Sequence, residues 1–391
     1  MKAEPTPHAA IDARQLEAEH LVQVYGQLAI EPVRGEGVTL VTRDGRRIID
    51  LYGGHAVASL GYGHPRLLSA LEDQARQMLF QSNAVAMDVR ARAANRLAAF
   101  APTGLERVFF VNSGAEANEN ALRIALKVTG RGKVLGVEHG FHGRSAAAAA
   151  VTWGSDNWYG FPRRPFDVEF LPRDDVEQLN RVDSQVAAVI VEPVQGVAGA
   201  YDLDLDYLRQ LAAACAEAGA LLIMDEVQTG VGRLGLPFGA DRAGVLPDML
   251  TTAKALAGGF PAGALIMTET LAATLKSGDL GTTFGGGPLA ERLIETVIDT
   301  IETDNLLDNV VKMSALIRNT CQVGPVIGIQ GAGFLLGLRT AIPAAQVRDA
   351  LLERGILVGT SGDPNVIRLL PPFILQAQHV AQLAAALAEI D

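Results

Sequence analysis

Ala220-Leu221-Leu222-Ile223-Met224-Asp225-Glu226-Val227-Gln228 sets five apolar residues directly against two carboxylates. So short and continuous an apolar run reads as a strand buried on both faces, as in a parallel sheet. The amphipathic stretch before it, residues 206–218, reads as a helix and stops at Gly219, a residue that commonly ends helices. Working outward, similar apolar runs stand at 108–111, 134–137, 186–191, 221–224 and 249–252. Helical stretches lie between them. One, 115–128, carries Glu116 and Glu119 near its start and Gly130 just past its end. Strand and helix alternating in this way predict a doubly wound α/β sheet.

From about residue 288 the pattern changes. Helical stretches at 289–303 and 308–320 lead into strand-like runs at 326–329 and 334–338. A helix at 344–354, a run at 367–370 and a closing helix follow. The expectation is a large domain over 51–287 and a smaller α+β domain over 288–391, which residues 1–50 join.

Composition narrows the function classes. A chain of 391 residues suits two packed domains. With 49% hydrophobic and 20% charged residues it is not a disordered sequence. A net charge of −11 argues against nucleic acid and anionic membranes as partners. Two cysteines, Cys215 and Cys321, exclude a disulfide framework and a cysteine-rich metal site. The seven histidines show no metal-binding spacing. Residues 1–11 are polar, hold two prolines and read as frayed, with no signal-peptide core. No apolar stretch reaches the roughly 18 residues that span a bilayer. A soluble, cytoplasmic protein is expected.

In open α/β sheets, ligands sit beyond the carboxyl ends of the strands. Asn112-Ser113-Gly114-Ala115 follows the first run, and Glu138-His139-Gly140-Phe141-His142-Gly143-Arg144 the second. Glu192 follows the third, Asp225 to Gln228 the fourth, and Lys254 stands just past the fifth. Taken singly, Ser113 is a helix cap, Phe141 a core filler, His142 a loop histidine, Asp225 a cap or ion-pair partner, and Lys254 a surface lysine. Five such strand ends on one edge argue against packing as the reason for all of them. Ser113-Gly114-Ala115 opens a helix, where free N–H groups favour a phosphate. Phe141 suits stacking on a planar ring. Asp225 needs a cation or donors, which a pyridinium N–H would supply. Lys254 reaches the same edge with an amine able to form a Schiff base and move protons. Gly230-Val231-Gly232-Arg233-Leu234-Gly235 matches a dinucleotide fingerprint. No helix is expected to begin inside it, so a nicotinamide oxidoreductase stays a remote alternative.

The ordered set of motifs resembles the class III pyridoxal 5'-phosphate (PLP)-dependent aminotransferases of fold type I. Within them it is most similar to the acetylornithine aminotransferase group and to the lysine-biosynthesis aminoadipate-semialdehyde branch. The resemblance spans about residues 30–385. It rests on Asn112-Ser113-Gly114-Ala115-Glu116, Phe141-His142-Gly143-Arg144, Glu192-Pro193-Val194-Gln195-Gly196 and Asp225-Glu226-Val227-Gln228-Thr229-Gly230. It continues through Lys254-Ala255-Leu256, Thr282-Thr283-Phe284-Gly285-Gly286 and Arg368-Leu369-Leu370-Pro371-Pro372. It implies a mostly parallel central sheet in a large domain, with a smaller α+β C-terminal domain. It implies PLP held by Lys254 as a Schiff base, with Ser113, Gly114 and Ala115 on the phosphate. Phe141 and Val227 would take the two ring faces, Asp225 the pyridine nitrogen and Gln228 the ring hydroxyl oxygen, with His142 and Glu192 also at the cofactor.

Arg144 and Arg368 would bind substrate carboxylates. Thr283 would reach the phosphate of a neighbouring subunit, with Thr282 beside that subunit's substrate, so a homodimer is implied. The implied reaction moves the ω-amine of N2-acetylornithine, or of a close N-acylated ω-amino acid, to 2-oxoglutarate, giving a semialdehyde and glutamate. The alternatives are a 4-aminobutyrate- or ornithine-type enzyme and one whose donor is linked to an amino-group carrier protein. Three positions depart from the family pattern: Val197 where a glutamate shields the second arginine, Leu280 in place of histidine, and Gly287 in place of asparagine.

Overall fold

A computed structural model of the protein describes residues 12–390, so the expectation for residues 1–11 falls outside them. The centre is a seven-stranded sheet: β1 (Leu105–Val111), β2 (Lys133–Val137), β3 (Asp167–Leu171), β4 (Val186–Val191), β5 (Leu221–Asp225), β6 (Met249–Thr252) and β7 (Gly263–Thr268). Its spatial order is β1-β7-β6-β5-β4-β2-β3. The five runs read from the sequence are β1, β2, β4, β5 and β6. Two strands join them: β3 at one edge, and β7 wedged between β1 and β6, antiparallel to both. The link from β6 to β7 is too short for a parallel crossover, which needs a dozen or more residues. The chain therefore turns back. β1 and β6 still point the same way as β5, β4, β2 and β3, so their carboxyl ends share one edge. The expected α/β class with a mostly parallel sheet is what the structure has.

The helices start and stop for local reasons. In α1 (Gly114–Thr129), the Ser113 hydroxyl accepts from Glu116 N at 3.2 Å, and Gly130 closes the helix at φ +67°. In α2 (Leu205–Ala218), Asp204 caps the N–H groups of Asp206 and Tyr207 at 2.8 and 3.0 Å, and Gly219 ends the helix at φ +65°. One face of α2 buries Tyr207, Leu208, Leu211 and Cys215. Each of the two leucines contributes roughly 1.5–3 kcal/mol on leaving water. Every residue of β4 is buried, which explains its unbroken apolar run.

The C-terminal part forms a second, antiparallel sheet from Val326–Ala332, Leu335–Thr340, Val366–Leu369 and Gly359–Thr360. Near the N-terminus, Pro32–Glu36, Thr39–Thr42 and Arg47–Asp50 form a sheet that Ile356–Leu357 completes in parallel. Helix α3 (Pro288–Thr303) packs on helices Pro65–Gln77 and Asp88–Phe100. No helix among the described residues is long and apolar enough to cross a membrane.

Candidate active site

Asp225 closes β5 with 3% of its surface exposed. A carboxylate buried this deeply needs partners. Its Oδ2 accepts from Asn118 Nδ2 at 2.7 Å and lies 2.7 Å from His142 Nδ1, while Oδ1 accepts from Val227 N at 3.0 Å. Asn118 is fixed in turn: it donates to His142 O at 2.7 Å and accepts from Thr251 Oγ1 at 2.7 Å. Four elements thus hold one anion in place. Asn118 and Thr251 were not singled out from sequence. The available signal was a polar residue on the face of α1 that otherwise buries Ala117, Ala121 and Leu122.

Lys254 follows β6 at φ +42°, in the left-handed region, and opens the short turn Lys254–Ala257. That conformation costs a non-glycine residue about 1 kcal/mol and is retained mainly where surrounding structure imposes it. Burial pulls the lysine pKa below its ordinary value. Arg368 acts in the same direction, and Asp225 and Glu192 oppose both. A lowered pKa leaves more of the amine neutral, the form that attacks a carbonyl.

Lys254 and Asp225 line a cavity of about 470 Å³ with Ser113, Gly114, Ala115, Phe141, His142, Arg144, Glu192, Val227 and Gln228. The glycines are required by contact. A Cβ on Gly114 would lie 2.6 and 2.7 Å from the two Val227 methyls, and one on Gly196 would meet the Gln228 amide at 1.6 Å. The Gln228 Oε1 is buried without a hydrogen-bond partner, as is His142 Nε2. Glu192 accepts from Phe141 N at 2.8 Å and Gly196 N at 3.3 Å. Burial, together with the Asp225 charge, pushes its pKa up to about 7.

The arginines differ. Arg144 is exposed, lines the cavity, and lies over the Trp158 ring at 4.5 Å. Arg368 is 6% exposed and stands outside the cavity lining. It donates to Thr360 O at 2.8 Å, Gly196 O at 3.2 Å and the Tyr52 hydroxyl at 2.9 Å, and forms no ion pair among the described residues. Tyr52 also lies 2.8 Å from His55 Nδ1, and the Lys254 and Arg368 charges help depress the His55 pKa, after burial. Tyr52 and His55 were likewise missed. His55 and Ala56, with φ of +65° and +69°, stand in the left-handed region behind Gly53 and Gly54, a conformation no sequence pattern announces. Thr282 accepts from Gly285 N at 3.1 Å, and Thr283 is exposed. Neither lines the cavity of its own chain. The Gly230–Gly235 match is a loop. The next helix, Gly239–Ala243, begins beyond it, so the dinucleotide reading fails on structure.

The aminotransferase class-III family model matches residues 22–390. The acetylornithine aminotransferase of Methanocaldococcus jannaschii is 35% identical over 387 residues, 96% of each chain. The [LysW]-aminoadipate semialdehyde/glutamate semialdehyde transaminase of Sulfolobus acidocaldarius is 32% identical over 379 residues, 94% of this chain and 96% of that protein. Among solved structures, the ornithine aminotransferase of Toxoplasma gondii, described with PLP at its active site, superposes with a TM-score of 0.90. It is 28% identical, and the match covers 96% of this chain and 93% of that one. With a lysine, a buried aspartate and a helix start gathered at one sheet edge, the chain belongs to the class III aminotransferases, PLP-dependent enzymes of fold type I.

Proposed function

We propose that the protein transfers the ω-amine of N2-acetylornithine, or of a close N-acylated ω-amino acid, to 2-oxoglutarate, yielding the semialdehyde and glutamate. The observation that carries this is the pair of guanidiniums about the site, Arg144 and Arg368, neither of them in an ion pair among the described residues. Two carboxylate-bearing substrates taken in turn need two such forks.

The residues fit PLP. The side-chain-free Gly114 at the start of α1, the unpartnered Gln228 amide oxygen and the held Asp225 carboxylate are the complements of a phosphate, a ring hydroxyl and a ring N–H. When bound, PLP supplies an aldehyde that condenses with amines and a ring that accepts electron density. Ser113, Gly114 and Ala115 would hold the phosphate, Phe141 and Val227 the ring faces, with His142 and Glu192 against the same ring. Asp225, kept in place by Asn118 and His142, would hold the proton on the ring nitrogen. Lys254 would take the proton from the donor carbon beside the amine and return it one step later.

Val197 lines the cavity without a charge, and Arg368, although Glu192 acts on it from nearby, forms no ion pair among the described residues. No ion-paired carboxylate then has to leave Arg368 in either half-reaction, so discrimination between ω- and α-amines is weakened. Val197→Glu is expected to raise the ratio of ω- to α-amine turnover, and an unchanged ratio defeats this reading. A carrier-linked donor is the second reading, favoured by the likeness to the Sulfolobus enzyme. A panel of free, N-acylated and carrier-linked amine donors, scored by glutamate formed from 2-oxoglutarate, decides. Absence of turnover with every N-acylated donor overturns the proposal. The same reading includes a homodimer, with Thr282 and Thr283 acting across the interface. It also includes a division of the chain at residues 50 and 287, and a cytoplasmic location, which suits the two free, buried cysteines.

A further inference from the structure

A second pocket, of about 350 Å³, opens beside the active site and shares two walls with it, Phe141 and Val197. Its other walls include His139, Trp153, Arg173 and Asp363. Arg173 stands just past the end of β3, so it reaches the edge that carries Asp225 and Lys254. The guanidinium is fixed on two sides. Its Nε donates to Gln195 Oε1 at 2.5 Å, and its carbon lies 4.3 Å from the Tyr201 ring centre. Yet its Nη2 is buried with no hydrogen-bond partner, and Arg173 forms no ion pair among the described residues. Glu138 and Glu192 act on it without pairing, and the acids beside it are engaged elsewhere. Asp174 accepts from Tyr201 and from Asp204 N, and Asp363 from Asn365 N. A buried, preset donor left unpaired is unfavourable unless a ligand completes it. Trp153 and His139, with ring centres 5.6 Å apart, supply an apolar wall.

We propose that this pocket binds a carboxylate at the far end of the amino donor, so that preferred donors carry an N-acyl group ending in its own carboxylate. The guanidinium edge takes the carboxylate, Trp153 and His139 cover the methylenes that lead to it, and the chain of the donor passes between Phe141 and Val197. The inference rests on the proposed transamination of an N-acylated donor.

The test compares N2-acetylornithine with N2-succinylornithine on the natural holoenzyme, on R173Q and on R173K. R173Q is expected to raise KM for the succinyl donor about tenfold or more, the loss of one charge-assisted bond. Its kcat, its KM for the acetyl donor and its half-reaction with glutamate should stay put. R173K keeps the charge but not the planar fork, and should show a smaller rise of the same selectivity. Equal changes for both donors, or none, overturn the pocket. If neither donor turns over, the donor reading fails. Calorimetry with succinate alone then decides: a binding heat that R173Q loses upholds the pocket, and equal heats in both proteins overturn it. Should R173Q fail to fold, R173K carries both comparisons.

Discussion

Asp225 and Lys254 show which residues a sequence can announce. Each is a charge at the end of an apolar run, and a charge there demands a partner. Asp225→Asn, which leaves the Asn118 and His142 contacts with a neutral group, is expected to lower kcat at least 10²-fold while the protein stays folded. Single-turnover kinetics beside a thermal melt would check this. Asn118, His55 and Arg173 sent no comparable signal, because their importance comes from what folding brings against them. His55 holds a left-handed backbone, so His55→Val should destabilise the fold by about 1–2 kcal/mol, and His55→Gly far less at that step. Denaturant midpoints of the two variants measure the difference. Tyr52 accepts from Arg368, which leaves its own proton for His55. Tyr52→Phe frees the guanidinium, and KM for 2-oxoglutarate should move more than kcat.

At the scale of elements, β1, β2, β4, β5 and β6 were readable because each holds an apolar run, with its polar residues confined to the strand ends. β3 was not, since its residues 167 and 169 are Asp and Glu and most of the strand is only half buried. β7 is as apolar as its neighbours, but its reversed direction depends on the length of the turn before it. Helix Gly239–Ala243 depends on Glu226, whose carboxylate takes the N–H groups of Gly239 and Ala240 and the Thr229 hydroxyl. Burial raises the pKa of Glu226 to about 7, as it does for Glu192. In both, the folded state keeps a proton that the unfolded chain releases near the ordinary value of 4.5. Stability therefore falls as pH climbs from that value through about 7, and levels above it. Glu192→Gln should flatten this slope in the cofactor-free protein, seen as a smaller difference between melting temperatures at pH 5 and pH 8.

For the whole molecule, the deciding feature lies on the surface. Leu79, Phe80 and Phe284 are 64%, 42% and 66% exposed, and the Phe80 and Phe284 rings lie 5.3 Å apart. Phe284 is next to Thr283, which is exposed and does not line the cavity of its own chain. In the proposed homodimer an apolar patch of this kind is where a second copy of the chain would sit, and Thr283 would then reach the other active site. Thr283→Ala and Lys254→Ala, each expected to be inactive or nearly so, should regain up to about a quarter of natural activity when refolded together. Here one site of each mixed dimer is intact. Mixtures as inactive as their parents would exclude a shared site. No sequence pattern showed this patch, because Leu79-Phe80 and Phe284 lie far apart in the chain and meet only on the surface.

The reversed strand β7 also bears on how the protein comes into being. Val111, at the end of β1, pairs with Gly263 of β7, roughly 150 residues later in the chain. During synthesis, β1 and the helix start at Ser113 leave the ribosome long before the strand that seats them exists. Closing so long a loop is slow. The turn at Ser113, proposed to hold the cofactor phosphate, should thus be among the last parts to mature, and in refolding the cofactor's visible absorbance should rise after the helical signal is complete. Cofactor uptake would then mark the moment at which the sheet is whole.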